Sequence, residues 1–194
     1  MKIVILDYGA GNIQSIAFAI ERLGHKARLS RDPQEIRGAD KVIFPGVGEA
    51  SSAMANLRAS GLDQLIPTLE QPVLGICLGM QLMCRSSQEG NTKGLGLFDL
   101  EVKRFPKTLK VPQMGWNNLL DSKGKLFGNI KQGSYVYLVH SYYAPLSGDT
   151  VAQVDYGLTY SAALQRDNFY GVQFHPEKSS GTGSTLLNNF LTAI

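Results

Sequence analysis

Three short, almost wholly apolar runs, each ended within a few residues by glycine, proline or a charge, constrain this chain more than any other feature. Lys2–Leu6 ("KIVIL") leads to a turn at Gly9–Gly11, after which Ile13, Ile16, Ala17, Ile20 and Leu23 recur at helical spacing up to Gly24. "DKVIFPG" is closed by Pro45 and Gly46 and followed by a helical stretch over Ala50–Leu57; "PVLGI" runs into another over Leu78–Arg85. His25–Ser30 reads as a fourth strand of the same series. A strand with apolar residues at every position has two buried faces, and alternation with helices supplies the cover for both. The pattern predicts an α/β fold on a largely parallel sheet with helices on each side.

After Leu95 the character changes. "LGLFDLEVKRF", "YVYLVHSYY", "TVAQVDYG", "SAALQRD" and "FYGVQFH" read as strands joined by tight turns, and Arg166-Asp167-Asn168 is a hairpin signal for antiparallel pairing. A last helix is expected over Thr185–Ala193, after the glycine- and serine-rich "SSGTGS". With 194 residues and neither repeats nor linker-like stretches, the expectation is one mixed-sheet domain over 1–194.

Composition excludes several partners. The net charge is +3, with scattered basic residues apart from Lys103, Arg104, Lys107 and Lys110, which read as a solvated face; no nucleic acid is expected. The first apolar run stops at Asp7, which fits a buried strand and not a secretory leader, and no apolar stretch approaches the ~18 residues of a membrane span. Cys77 and Cys84 are too few for a disulfide framework and lack metal-ligand spacing, so neither metal nor cofactor is expected and the setting is read as reducing and cytoplasmic.

Three segments carry possible chemistry. Gly75-Ile76-Cys77-Leu78-Gly79 matches a strand-to-helix elbow with a nucleophile at its centre, where flanking glycines keep strand and helix from colliding. A helix start beside Cys77 favours a thiolate, and the amide of Leu78 is placed to hold an oxyanion. Read alone, the same five residues also describe a buried cysteine in a helix-capping turn. In "VQFHPE", His175 and Glu177 at i and i+2 share a face if the chain stays extended, so the carboxylate can orient the imidazole; the other reading is a capping histidine with a solvated glutamate. "FPGVGE", Phe44–Glu49, offers a glycine-opened loop whose amides can face a pocket, or an ordinary β–α connection. All three follow strands, and in a parallel sheet the carboxyl ends of strands gather on one edge.

Taken together, "DYGAGN" at 7–12, "PGVG" at 45–48, "GICLGMQ" at 75–81, "PQMGWN" at 112–117, "YLVHSY" at 137–142 and "HPEKS" at 175–179 resemble the class I (triad) glutamine amidotransferases. Within that family they are most similar to the glutaminase subunits that feed ammonia to a separate barrel-shaped cyclase of histidine biosynthesis. The resemblance implies a flavodoxin-like fold, L-glutamine as substrate, and a heterodimer with the cyclase subunit. It implies a triad of Cys77, His175 and Glu177, an oxyanion site at Val47, Gly48 and Leu78, and glutamine contacts from Gln81, Glu89, Ser141 and Tyr142. It places Asn12, Trp116 and Lys178 toward the partner. Rival readings are the glutaminase of pyridoxal phosphate, anthranilate or guanylate synthesis, and a non-catalytic flavodoxin-like binding module.

Other residues attract less. Gln14 stands where a dinucleotide fingerprint needs its third glycine. Cys84, seven residues after Cys77, is expected on the buried side of the same helix, and His140 is expected to be a satisfied structural histidine.

Overall fold

The computed structural model describes residues 1–9 and 11–194; the turn read at Gly9–Gly11 includes Ala10, which lies outside the described residues. In chain order the strands are β1 Ile3–Leu6, β2 Ala27–Ser30, β3 Lys41–Phe44, β4 Val73–Ile76, β5 Cys84–Ser87, β6 Thr92–Lys93, β7 Phe98–Arg104, β8 Gln113–Asn118, β9 Tyr135–His140, β10 Tyr142–Tyr143, β11 Thr150–Asp155, β12 Thr159–Arg166 and β13 Phe169–Val172. The helices are α1 Ile13–Arg22, α2 Pro33–Arg37, α3 Ala50–Ala59, α4 Leu62–Leu65, α5 Leu78–Met83 and α6 Ser180–Thr192.

The main sheet has seven strands in the order β11-β12-β13-β4-β3-β1-β2. From β2 to β13 every pairing is parallel, while β12 and β11 join antiparallel through the hairpin at Asp167. Side-chain alternation divides the core in two. Ile3, Ile5, Ile43, Leu74 and Ile76 face one cluster with Ile16 and Ile20 of α1 and Leu186 and Phe190 of α6. Val4, Leu6, Val42, Phe44 and Val73 face the other, with Ile36 of α2, Met54 and Leu57 of α3, and Met80 of α5. The α/β reading with helices on both faces therefore holds, for the reason the fully apolar strands implied.

The second half is less unified than expected. β10, β7, β5 and β6 form a separate four-stranded sheet, and β8 and β9 form a two-stranded one. Two short helices are added and two helix boundaries move. α2 was not anticipated, although its start is explicit: Asp32 accepts from the amides of Gln34 and Glu35, and Pro33 occupies the first turn. α4 was also missed. The helix expected over Leu78–Arg85 stops at Met83, because the amides of Leu95, Gly96 and Leu97 take the carbonyls of Leu82, Cys84 and Met83 at 2.8, 3.2 and 2.8 Å. Cys84 is thus buried as expected, but in a strand; burial pushes its thiol up to about 12, which leaves it inert. The last helix begins at Ser180, inside "SSGTGS", not at Thr185. No helix is long and apolar enough to cross a membrane among the described residues.

Candidate active site

The parallel strands β1, β3, β4 and β13 all deliver their carboxyl ends to one edge of the sheet, and each sends one functional segment there. At the end of β4 the Cys77 amide donates to the Val172 carbonyl at 2.8 Å, continuing the ladder, and its carbonyl accepts the first helical bond, from Gln81, at 3.2 Å. Turning from strand to helix on one residue forces Cys77 to φ 53°, ψ −109°, a region that costs a non-glycine residue about 1–3 kcal/mol. The glycines explain why the turn fits. A Cβ on Gly79 would lie 2.0 Å from the Phe44 carbonyl oxygen, and one on Gly75 would lie 2.8 Å from the Met80 nitrogen.

His175 follows β13, and its backbone is held from two sides. Its amide donates to Tyr137 of β9 at 2.9 Å, and its carbonyl accepts from the buried Ser179 hydroxyl at 2.7 Å. Its Nδ1 donates to Glu177 Oε1 at 2.8 Å, which directs Nε2 away from the carboxylate. The extended geometry expected for this pair is not what forms. The strand ends at Val172, and Pro176–Lys178 is a 3-10 turn that curls the carboxylate back onto the ring. Burial works against the charged imidazole. Hydrogen bonds to the Cys77 sulfur and the Glu177 carboxylate, with their negative charge, outweigh it and push His175 up to about 9.

Glu177 has a second partner that the residue pattern did not reveal. The Asn12 side-chain amide, after β1, donates to the same Oε1, while Oε2 has no partner among the described residues. Asn12, expected on the partner face, thus spends its amide on the Glu177 carboxylate. Tyr8, in the same loop, donates its hydroxyl to the Pro45 carbonyl at 2.5 Å and so ties β1 to the "PGVG" segment.

These groups surround a cavity of about 340 Å³, lined by Val47, Gly48, Cys77, Leu78, Gln81, Glu89, Ser141, Tyr142 and His175. Every residue expected to hold glutamine or its oxyanion therefore faces one space. One of them is not free as it stands: the Leu78 amide donates to the Gly46 carbonyl at 3.3 Å, so the oxyanion donor expected there is already engaged. Gln81 is buried, with its Nε2 donating to the Tyr142 carbonyl and to Gln173 Oε1, both at 2.8 Å. Glu89 sits in a 3-10 turn and accepts from the Ala50 amide at 2.9 Å, capping α3; burial first, then the charge of Glu49, raises its carboxyl. Trp116 and Lys178 lie outside the cavity, both exposed; Trp116 packs edge-on against Tyr137, with the exposed Met114 on the same strand.

Sequence reasoning passed over Gln173, whereas His140 takes the structural place expected of it. Gln173 is fully buried, and its Nε2 lies 3.7 Å from Cys77 Sγ. The signal available was one amide in an otherwise apolar strand end. His140 lines the cavity with Nδ1 on the Tyr142 carbonyl at 2.7 Å and Nε2 on the Tyr160 hydroxyl at 3.1 Å, as a satisfied structural histidine would. Burial pushes it down to about 4, so it stays neutral.

Comparison with known proteins gives the family. Residues 4–194 match the family model of "Glutamine amidotransferase class-I". The chain is 53% identical over 194 residues to "Imidazole glycerol phosphate synthase subunit HisH" of Bacteroides fragilis, covering 98% of this chain and 99% of that one. It is 48% identical over 198 residues to the protein of the same name from Vibrio parahaemolyticus, covering 98% and 97%. A solved glutamine amidotransferase superposes with a TM-score of 0.76 at 18% identity, over 97% of this chain and 96% of that one.

Proposed function

Because this chain belongs to the class-I glutamine amidotransferases, we propose that it is the glutaminase subunit of an imidazole glycerol phosphate synthase, releasing ammonia from L-glutamine for a cyclase partner. The observation that carries the reading is the strained Cys77, set beside the His175–Glu177 pair at the floor of a cavity sized for an amino acid.

The geometry supports the following roles. Cys77 gives its thiol proton to His175 Nε2 as the sulfur adds to the side-chain amide carbon of glutamine, moving the carbonyl π electrons onto oxygen. When the oxyanion collapses, the C–N bond breaks, the nitrogen takes the proton from His175, and ammonia leaves a γ-glutamyl thioester. Water then adds to the thioester carbon, giving its proton to His175, and the sulfur departs as glutamate forms. Glu177 holds His175 in one tautomer and balances its charge, and Asn12 holds Glu177. The amides of Val47, Gly48 and Leu78 receive the oxyanion. Gln81, Glu89 and the Ser141–Tyr142 backbone hold the amino-acid end, with the Glu89 carboxylate suited to an α-ammonium.

The Leu78 amide is available only once the Gly46 carbonyl turns away. One missing oxyanion donor costs about 3–4 kcal/mol of barrier, so the isolated chain should hydrolyse glutamine slowly. The cyclase, a barrel-shaped subunit joined as a heterodimer, docks on the face that presents Trp116 and Lys178 beside the Asn12 loop and shifts residues 45–48. Ammonia passing directly to it escapes protonation in water. The test is the reconstituted complex with Cys77→Ala. Glutamine-dependent synthesis should vanish while synthesis from added ammonia persists, and loss of both would sink the division of labour. Fast glutamine hydrolysis by the chain alone would remove the argument from the engaged Leu78 amide.

A further inference from the structure

Gln173 is a polar side chain in a place where an apolar one would cost less. It follows β13, has no exposed surface, and its backbone amide is fixed on the Ala162 carbonyl of β12 at 2.8 Å. An amide taken into a dry interior is tolerated only when its hydrogen bonds are made. Here the bonds also fix which way the amide points. The Tyr142 carbonyl can only accept, so the Gln81 atom 2.8 Å from it is the nitrogen. That nitrogen lies 2.8 Å from Gln173, whose facing atom must then be the oxygen. The Gln173 nitrogen is left for the one remaining neighbour, Cys77 Sγ at 3.7 Å. A neutral thiol is a weak acceptor, whereas a thiolate accepts such a bond with the added strength of its charge.

We propose that Gln173 is a catalytic residue of the glutaminase reaction: its side-chain N–H stabilises the Cys77 thiolate, and its oxygen aligns Gln81 so that nucleophile and substrate contact are set by one buried amide. The proposal rests on the glutaminase reading above and adds a donor to it. With both Gln81 protons spent on Tyr142 and Gln173, its Oε1 is the atom left to accept from substrate; among the described residues nothing donates to it.

The titratable groups around Cys77 are known and separable. Tyr8, in the loop after β1, and Tyr160 of β12 approach it, and burial first, then the Cys77 charge, raises both hydroxyls, which stay neutral. His140 and Glu89 lie on the cavity wall, and His175, backed by Glu177, is the cation beside the sulfur. None of these is changed by substituting Gln173.

The experiment follows iodoacetamide labelling of Cys77 against pH in the full chain, read by peptide mass, for wild type, Gln173→Met and Gln173→Glu. Gln173→Met keeps the volume and removes the donor, and the labelling midpoint should rise by about one pH unit, the size expected for one hydrogen bond to a charged group. Gln173→Glu places a carboxylate at the sulfur and should raise it further. In the reconstituted complex kcat should fall about tenfold with Gln173→Met. An unshifted midpoint in a folded Gln173→Met protein overturns the proposal. If neither variant folds, side-chain amide NMR of the unmodified protein decides. The Gln173 N–H resonance should titrate with the Cys77 labelling midpoint, and a resonance that does not move overturns it equally. Retention of glutaminase activity by Cys77→Ala would instead overturn the reading beneath.

Discussion

Two glycines in the first turn of α6 should respond oppositely to the same added methyl group. Gly183 is buried, and a Cβ there would stand 1.9 Å from the Pro176 carbonyl oxygen and 2.7 Å from its carbon. Both are backbone atoms of the turn that carries Glu177, so nothing flexible can yield. The turn must retreat from the helix by about 1.5 Å to restore an ordinary contact. Overpacking of this kind costs about 1–3 kcal/mol, against roughly 1 kcal/mol regained from alanine's better helix propensity. Gly181 is exposed with nothing within 4 Å of its Cβ position, so Gly181→Ala collects the propensity alone, about 0.5–1 kcal/mol. The catalytic effect should exceed the thermodynamic one. Glu177 orients His175, and a displacement of about 1 Å in a positioning group can cost on the order of a hundredfold in rate. Urea denaturation and glutamine-dependent turnover of the complex, measured on both variants, separate the two effects. Gly183→Ala should lose stability and most activity; Gly181→Ala should gain stability and keep activity. Equal behaviour of the two would refute the claim that the Pro176 carbonyl sets the packing of α6 against the turn that carries Glu177.

Two further outcomes follow from buried polar groups. Tyr8→Phe removes the hydroxyl from the buried Pro45 carbonyl, which should cost about 1–2 kcal/mol and lower Tm by a few degrees; an unchanged Tm would mean that the bond does not anchor the 45–48 segment. His140 is held at about 4, below its ordinary 6.5, so between those values the unfolded chain binds a proton that the folded chain does not. Its stabilising contribution is complete above 6.5 and is lost as pH falls toward 4, in all about 3 kcal/mol. His175, held at about 9, behaves in the opposite sense: its contribution is complete below 6.5 and is lost as pH rises through 9. Denaturation of His140→Gln from pH 4 to about 9 should lose the slope between 4 and 6.5 and leave the alkaline one above 6.5; an acid slope that survives assigns it to other groups.

Much of the fold was legible because burial on both faces leaves a local mark. Val4 and Ile5 face different clusters, so "IVIL" at 3–6 had to be apolar throughout, and the same holds for "VIF" at 42–44. The elbow was legible for a related reason, since the approach of Gly79 to Phe44 admits no side chain. The start of α2 was written in "DPQE" and simply overlooked, whereas the end of α5 was not written anywhere nearby. There the carbonyls of Leu82, Met83 and Cys84 are claimed by residues 95–97, and the helix yields to a strand because of a segment a dozen residues later.

By itself, the sequence determined the class of fold, the turn that strains Cys77, and the types of residue brought to the sheet edge. These rest on side-chain size, backbone freedom and period, which are properties of neighbours along the chain. Tertiary structure alone decided which amide meets which acceptor. Asn12 reaches Glu177 across 165 positions, Gln173 reaches Cys77 across 96, and Gly46 occupies the Leu78 amide. Such bonds are settled by what remains unpaired once β1, β3, β4 and β13 converge, and no local pattern records that remainder.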